Sequence, residues 1–267
     1  MMMETDDECV VPPCHVPGCR LTVDVVIKTS DAKYFGAHLQ NLQNHADGFP
    51  PASFGKRKRM NHMDIEEDSE VTSLMLDFMH KQPQPDLRDV PVGRLVDFAE
   101  AAEKYLIYSA MGTCRLVMGT QAWALPLTAL AYAIKHEYPE VADRAAPHSI
   151  GMDWKDVHKE LGPTGAVLWG QYRESFLALF RNRGFRSVQF HPDGQAPVCQ
   201  EILDIQLSTL SFLFGAPEDI VDEYWVGLEM AKVSVHNVCF TCREGWRKWL
   251  QELADEAKAL PKFSTLL

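Results

Sequence analysis

Two groups of cysteine and histidine are the residues of this chain best equipped for chemistry. His236, Cys239 and Cys242 follow an H-x-x-C-x-x-C spacing, and Cys199 or His191 could supply a fourth donor. Zinc takes such residues in tetrahedral sets of four. A continuous helix argues against the set, because steps of three and six residues spread the side chains over an arc of roughly 120°. Cys239 and Cys242 also fall in the stripe Val235, Trp246, Trp249, Leu250 and Leu253. Free cysteine packs as a small hydrophobe, so the reading prefers core cysteines and keeps His236, Cys239 and Cys242 as weak metal candidates. Cys9, Cys14, His15 and Cys19 form the second group. Four residues between successive cysteines fit no common zinc module. Pro12, Pro13, Pro17 and Gly18 break up any apolar periodicity. The expectation is a disordered tail over 1–20, with no metal and no cofactor.

Other chemistry has less to stand on. Cys114 lies in a helical apolar stripe and reads as core. Lys56-Arg57-Lys58-Arg59 is a dense basic run in a loop, suited to nuclear import or to an acidic partner. The sequence has no G-x-S-x-G, Walker loop, H-E-x-x-H or dinucleotide fingerprint. After His136-Glu137, Pro139 breaks the helix that a metalloprotease motif requires. His191-Pro192-Asp193-Gly194 reads as a turn. No catalysis is expected.

The 267 residues carry 26 Lys and Arg against 37 Asp and Glu, a net charge of −11. That balance disfavours nucleic-acid binding. Hydrophobic residues at 46% and charged residues at 24% describe a globular chain rather than a disordered one. No run of about 18 apolar residues is present, so no membrane span is expected. MMMETDDECV has no secretory pattern, and the scattered odd set of 7 cysteines suits a reducing compartment. The expected location is intracellular, cytoplasmic or nuclear.

These residues must be positioned by a mixed first half and a helical second half. Thr22–Thr29 is β-branched and reads as a strand, with Lys33–Ala37 as the return arm of a hairpin. A short helix with Leu39, Leu42 and His45 on one face follows, then a loop over 49–61 and a short strand at Met63–Glu66. Asp68-Ser69 caps a helix through His80, with Val71, Leu74, Met75 and Phe78 as its apolar face. Helical stripes continue through Val92, Leu95, Val96, Ala99 and Ala102, through Ile107, Met111, Cys114 and Met118, and over Pro126–Lys135. Pro163 starts and Gly184 ends a helix rich in Trp169, Tyr172, Phe176, Leu179 and Phe180. Three further helices are expected over about 199–214, 217–232 and 235–260.

The first half resembles a known family. Asp24-Val25-Val26-Ile27, Phe35-Gly36-Ala37-His38, Leu42 and Phe49 look like the opening of a BTB/POZ domain. Leu74, Leu76, Asp77 and Phe78 match its L-L-x-F helix, and Ala101-Ala102-Glu103-Lys104-Tyr105 its A-A-x-K-Y run. Over about residues 21–120 the chain is similar to BTB-containing proteins of mushroom-forming fungi, in which a helical region also follows. The resemblance implies an α+β fold: a BTB/POZ-like domain at 21–120, a small sheet capped by helices, then an all-α region at 121–262.

It also implies work in protein–protein contact. The partners would be a second copy of the chain, a cullin, or another protein, with Asp24, His38, Leu39, Leu42 and Phe49 as interface residues. Two departures bear on the choice. The basic residue that follows the His in dimeric relatives is Leu39 here. The hydrophobic-x-Glu pattern of cullin adaptors is replaced by Thr72-Ser73-Leu74. The expected function is an interaction or oligomerisation module, with a substrate adaptor of a cullin-based ubiquitin ligase as the alternative.

Overall fold

The computed structural model describes residues 11–49, 53–54, 61–183, 200–235 and 238–267. The chain divides into two units, Met1–Val117 and Met118–Leu267, three residues before the boundary read from the sequence. It is α+β: a small four-stranded sheet in the first unit, helices elsewhere.

The sheet of the first unit is built around β1, Val25–Lys28. Val25, Val26 and Ile27 are all buried, as a strand covered on both faces requires. β1 pairs antiparallel with β2, Tyr34–Ala37, setting Val26 opposite Gly36. On its other side it pairs in parallel with β4, Asn61–Asp64, which lies two residues earlier than the sequence pattern suggests. β3, Ser53–Phe54, pairs antiparallel with β4 inside the stretch read as loop, and the sheet order is β2-β1-β4-β3. The β1–β2 turn is held by Asp31, which accepts hydrogen bonds from Thr29 Oγ1 (2.5 Å), Ser69 N–H (3.0 Å) and Ser69 Oγ (2.7 Å). These bonds, those from Thr29 and Ser69 first, hold the Asp31 carboxyl well below the usual carboxylate range.

Helices α1 (Leu39–His45), α2 (Ser69–Phe78), α3 (Val92–Lys104) and α4 (Tyr108–Thr120) complete the unit. Leu42 is the buried residue of α1, whereas His45 is exposed. The Asp68 carboxylate caps α2 by accepting Glu70 N–H and Val71 N–H, and it also meets Arg94 of α3 at 2.5 Å. Val71, Met75, Leu76 and Phe78 turn inward, and Leu74 is half-buried. α2 stops at Phe78, so His80 lies past its end rather than inside it. From α3, Leu95, Phe98, Ala99, Ala101 and Ala102 enter the core; Val92 is exposed.

At the end of α3 the Lys104-Tyr105 pair ties several strands of chain together. Lys104 Nζ lies 2.8 Å from both Glu66 and Glu67, and the Tyr105 hydroxyl donates to Glu67. Burial first, then that bond, pushes the Tyr105 hydroxyl up to about 12. Gly48 N–H donates to Tyr105 O at 2.9 Å, and a Cβ at Gly48 would sit 2.6 Å from Lys104 O. Phe49 stacks on Tyr105 with centroids 4.5 Å apart. Cys114 on α4 is fully buried, and that burial raises its thiol to about 12.

The second unit contains α5 (Pro126–Lys135), α6 (Pro139–Ser149), α7 (Trp154–Arg183), α8 (Gln200–Gly215), α9 (Glu223–Val235) and α10 (Phe240–Lys258). Proline at the first turn opens α5 and α6, and Glu137 takes a positive φ in the turn between them. α7 breaks at Gly162, φ 68°, and Pro163 starts its second part as the sequence suggests. Trp169 from that part donates to Ser149 Oγ at 2.9 Å, and Arg173 Nε donates to Ile150 O at 3.0 Å. The helix expected over 235–260 starts later, at Phe240, and the one before it, expected to end at 232, runs to Val235. The chain end, placed by the sequence reading beyond the helical region, docks on it. Phe263 is fully buried edge-on to Tyr172, and Ser264 N–H and Oγ bond the Asp143 carboxylate.

Two outcomes follow from these contacts. Phe263→Ala lowers stability by about 3–5 kcal/mol, read by urea unfolding of the full chain. Asp31→Asn lowers the melting temperature at pH 7. A carboxyl depressed by folding stabilises above its unfolded pKa and loses that effect as pH falls, so the wild-type advantage shrinks below about pH 4 in a pH series of melts.

Candidate metal centre

The sharpest chemical feature begins with a local turn. Val16-Pro17-Gly18-Cys19 has proline followed by glycine at φ 76°, with Cys19 N–H donating to Val16 O at 3.2 Å. This is the geometry of a type II turn, which needs a positive φ at its third residue. It reverses the chain and brings Cys19 back beside Cys14. Residues 11–20, expected as disordered tail, are here laid along the free edge of β2. Cys14 forms a parallel bridge with Gly36. A Cβ on Gly36 would lie 2.3 Å from Pro12 O and 2.8 Å from Pro13 O, so only glycine allows this approach. Val16 is buried, and His15 reaches Ser73 Oγ at 2.7 Å.

Two histidines face the thiols from the other side. His38 follows β2 directly and is 3% exposed; His80, two residues past α2, is 8% exposed. His38 Nδ1–H donates to Thr22 O at 2.8 Å, and His80 Nδ1–H donates to Leu76 O at 2.6 Å. A carbonyl oxygen only accepts, so in each neutral ring the proton sits on Nδ1 and the Nε2 lone pair is free. Those lone pairs point at sulfur: Cys19 Sγ is 3.3 Å from His38 Nε2, and Cys14 Sγ is 3.3 Å from His80 Nε2. The four donor atoms all lie within 4.8 Å of one another. The imidazoles meet edge-on, with centroids 5.4 Å apart. Burial, and then the Cys19 thiol beside it, push the Cys14 thiol up against a lowering hydrogen bond from the Val16 N–H. Both thiols are free of disulfides. Chemically, such a set either shares S–H protons with the two imidazoles or gives them up to a cation bound between four donors.

The sequence reading paired these residues differently. It set Cys14 and Cys19 aside and assigned His38 to an interface. The Val-Pro-Gly turn between the cysteines was the available local signal; no local signal joins them to His38 or His80. The weak metal candidates of the second half fare otherwise. Cys239 is the N-cap residue of α10, its sulfur accepting Cys242 N–H at 3.4 Å, and Cys242 is buried in the α10 stripe with Trp246, Leu250 and Leu253. The argument from a continuous helix does not apply to Cys239, which precedes the first turn of α10. His236, Cys9, His191, Cys199, Gly184 and the basic run 56–59 lie outside the described residues.

The proposed interface residues differ in exposure. Asp24 is exposed and accepts Leu39 N–H at 2.7 Å, and Leu39 is half-buried. His38 and Leu42 are buried inside the unit, which removes them from a surface role, while Phe49 packs on Tyr105. No family model, curated protein or solved structure matches this chain.

Gly36→Val tests the placement of the N-terminal segment. The added side chain collides with the Pro12 and Pro13 carbonyls and lifts the segment from β2. Alkylation followed by peptide mass spectrometry then shows Cys14 and Cys19 labelled several-fold faster than in the wild type, with Cys114 unchanged.

Proposed function

We propose that the chain is a protein–protein interaction module of BTB/POZ type, whose first unit holds one partner or a second copy while its helical unit holds another. The observation that carries this reading is that two stretches behind the resemblance meet in space, where Phe49 stacks on Tyr105 of the A-A-x-K-Y run. Around that contact Gly48 N–H donates to Tyr105 O, and Lys104 and Tyr105 hold Glu67. The order of hairpin, helix, a fourth strand parallel to the first, and helical cap supports it as well. No helix among the described residues is long and apolar enough to cross a membrane. An intracellular setting, cytoplasmic or nuclear, suits the free thiols.

The alternative is a substrate adaptor of a cullin-based ubiquitin ligase. One contact weighs against it. Ser73, in the place where adaptors carry their Glu-containing pattern, is bonded to His15, so the N-terminal segment lies over that position. Light scattering on the purified chain, alone and with a cullin N-terminal fragment, separates the readings. The expected result is no complex with the cullin fragment and a mass for the chain that reports self-association directly. A stable complex makes the adaptor reading primary. A monomer that also captures no protein in proximity labelling inside cells overturns the interaction reading.

A further inference from the structure

We infer that Cys14, Cys19, His38 and His80 hold one zinc ion in a closed structural site that fastens residues 11–20 to the edge of the sheet. The inference stands on the geometry of the four side chains and does not rest on the interaction reading.

Tetrahedral zinc with bonds of about 2.3 Å to sulfur and about 2.0–2.1 Å to nitrogen sets neighbouring ligand atoms roughly 3.3–3.8 Å apart. A sulfur and a nitrogen on such an ion stand about 3.6 Å apart. The two S···N separations of 3.3 Å are slightly shorter than that, and the whole set lies within 4.8 Å, close enough for small side-chain movements to seat the ion. The rings are presented as zinc ligands usually are. Each Nδ1–H is spent on a backbone carbonyl, which fixes the tautomer and aims Nε2 inward. Hydrogen bonding between thiol and imidazole explains each pair by itself. It does not explain why two such pairs, drawn from three separate parts of the chain, point at one centre. Two thiols and two neutral imidazoles also match the ion in charge. On binding, the cysteines release two protons, and two thiolates cancel the double positive charge, which suits a site with buried histidines. Two sulfurs and two nitrogens in tetrahedral array favour zinc over magnesium or calcium, which take oxygen. Four protein donors leave no open position, so the ion's work is structural.

The consequence is local. Without the ion, residues 11–20 are held by the Cys14–Gly36 bridge, the His15–Ser73 bond and the burial of Val16. With it, position 14 is joined to 80 and position 19 to 38, and the β2 edge stays covered against pairing with another strand.

The test uses the full chain made without a polyhistidine tag. Elemental analysis by mass spectrometry gives about one zinc per chain. The double variant C14S/C19S falls to near zero, and C239S/C242S keeps its zinc. If C14S/C19S fails to fold, the wild type answers alone. Cobalt titration then gives one equivalent with tetrahedral visible bands and a thiolate charge-transfer band. Alkylation labels Cys14 and Cys19 only after a strong chelator is added, and the chelator opens residues 11–20 to protease. The inference is overturned by a wild-type chain that takes up neither zinc nor cobalt. It is overturned equally by zinc that persists in a folded C14S/C19S, by protection mapping to Cys239 and Cys242, or by iron or copper as the bound metal.

Discussion

The approach of the Pro12 and Pro13 carbonyls to Gly36 is the contact on which the arrangement of the first unit's site depends. Gly36 sits in the middle of an edge strand, where most side chains would strengthen the sheet. A side chain there would occupy the space of those two carbonyls. With hydrogen in its place, the N-terminal segment runs beside β2, covers a strand edge that otherwise offers itself to other chains, and delivers Cys14 to His80. The proline–glycine turn then needs only four residues to return Cys19 to His38.

A second knot lies at the Lys104-Tyr105 pair. It joins the end of α3, the chain after β4 and the turn at Gly48 through one phenol, one ammonium and two carboxylates. Glu67, largely buried, accepts from both donors, and a buried carboxylate with two such partners is satisfied where a lone one would be costly. Residues such as Phe49 and Tyr105, which carry the resemblance, here pack against each other within the unit. In the helical unit, the buried Phe263 and the Asp143–Ser264 bonds make the chain end part of the packing.

Some of this was legible in the residues. The Val25–Ile27 run, the Asp68 cap, and the prolines that open α5 and the second part of α7 act within a few positions of themselves, and local stereochemistry suffices to read them. The stripe of α10 was equally plain, because burial at helical spacing needs no knowledge of what covers it. Proline and glycine around Cys14 and Cys19 are more than breakers: they form a defined turn. α6 is hard to read from sequence because its alanines make a faint apolar stripe.

The sequence by itself determined most of the elements: a β-branched hairpin, capped helices and a helical second half. Each follows from interactions between residues close in the chain. Tertiary structure alone decided that Cys19 and Cys14 meet His38 and His80, from 19 and 66 residues away. That meeting depends on the register of β2 against β1, on where α2 ends, and on a glycine small enough to let another strand of chain pass. No spacing rule contains those three facts, because each is fixed by packing between segments that the sequence does not place side by side.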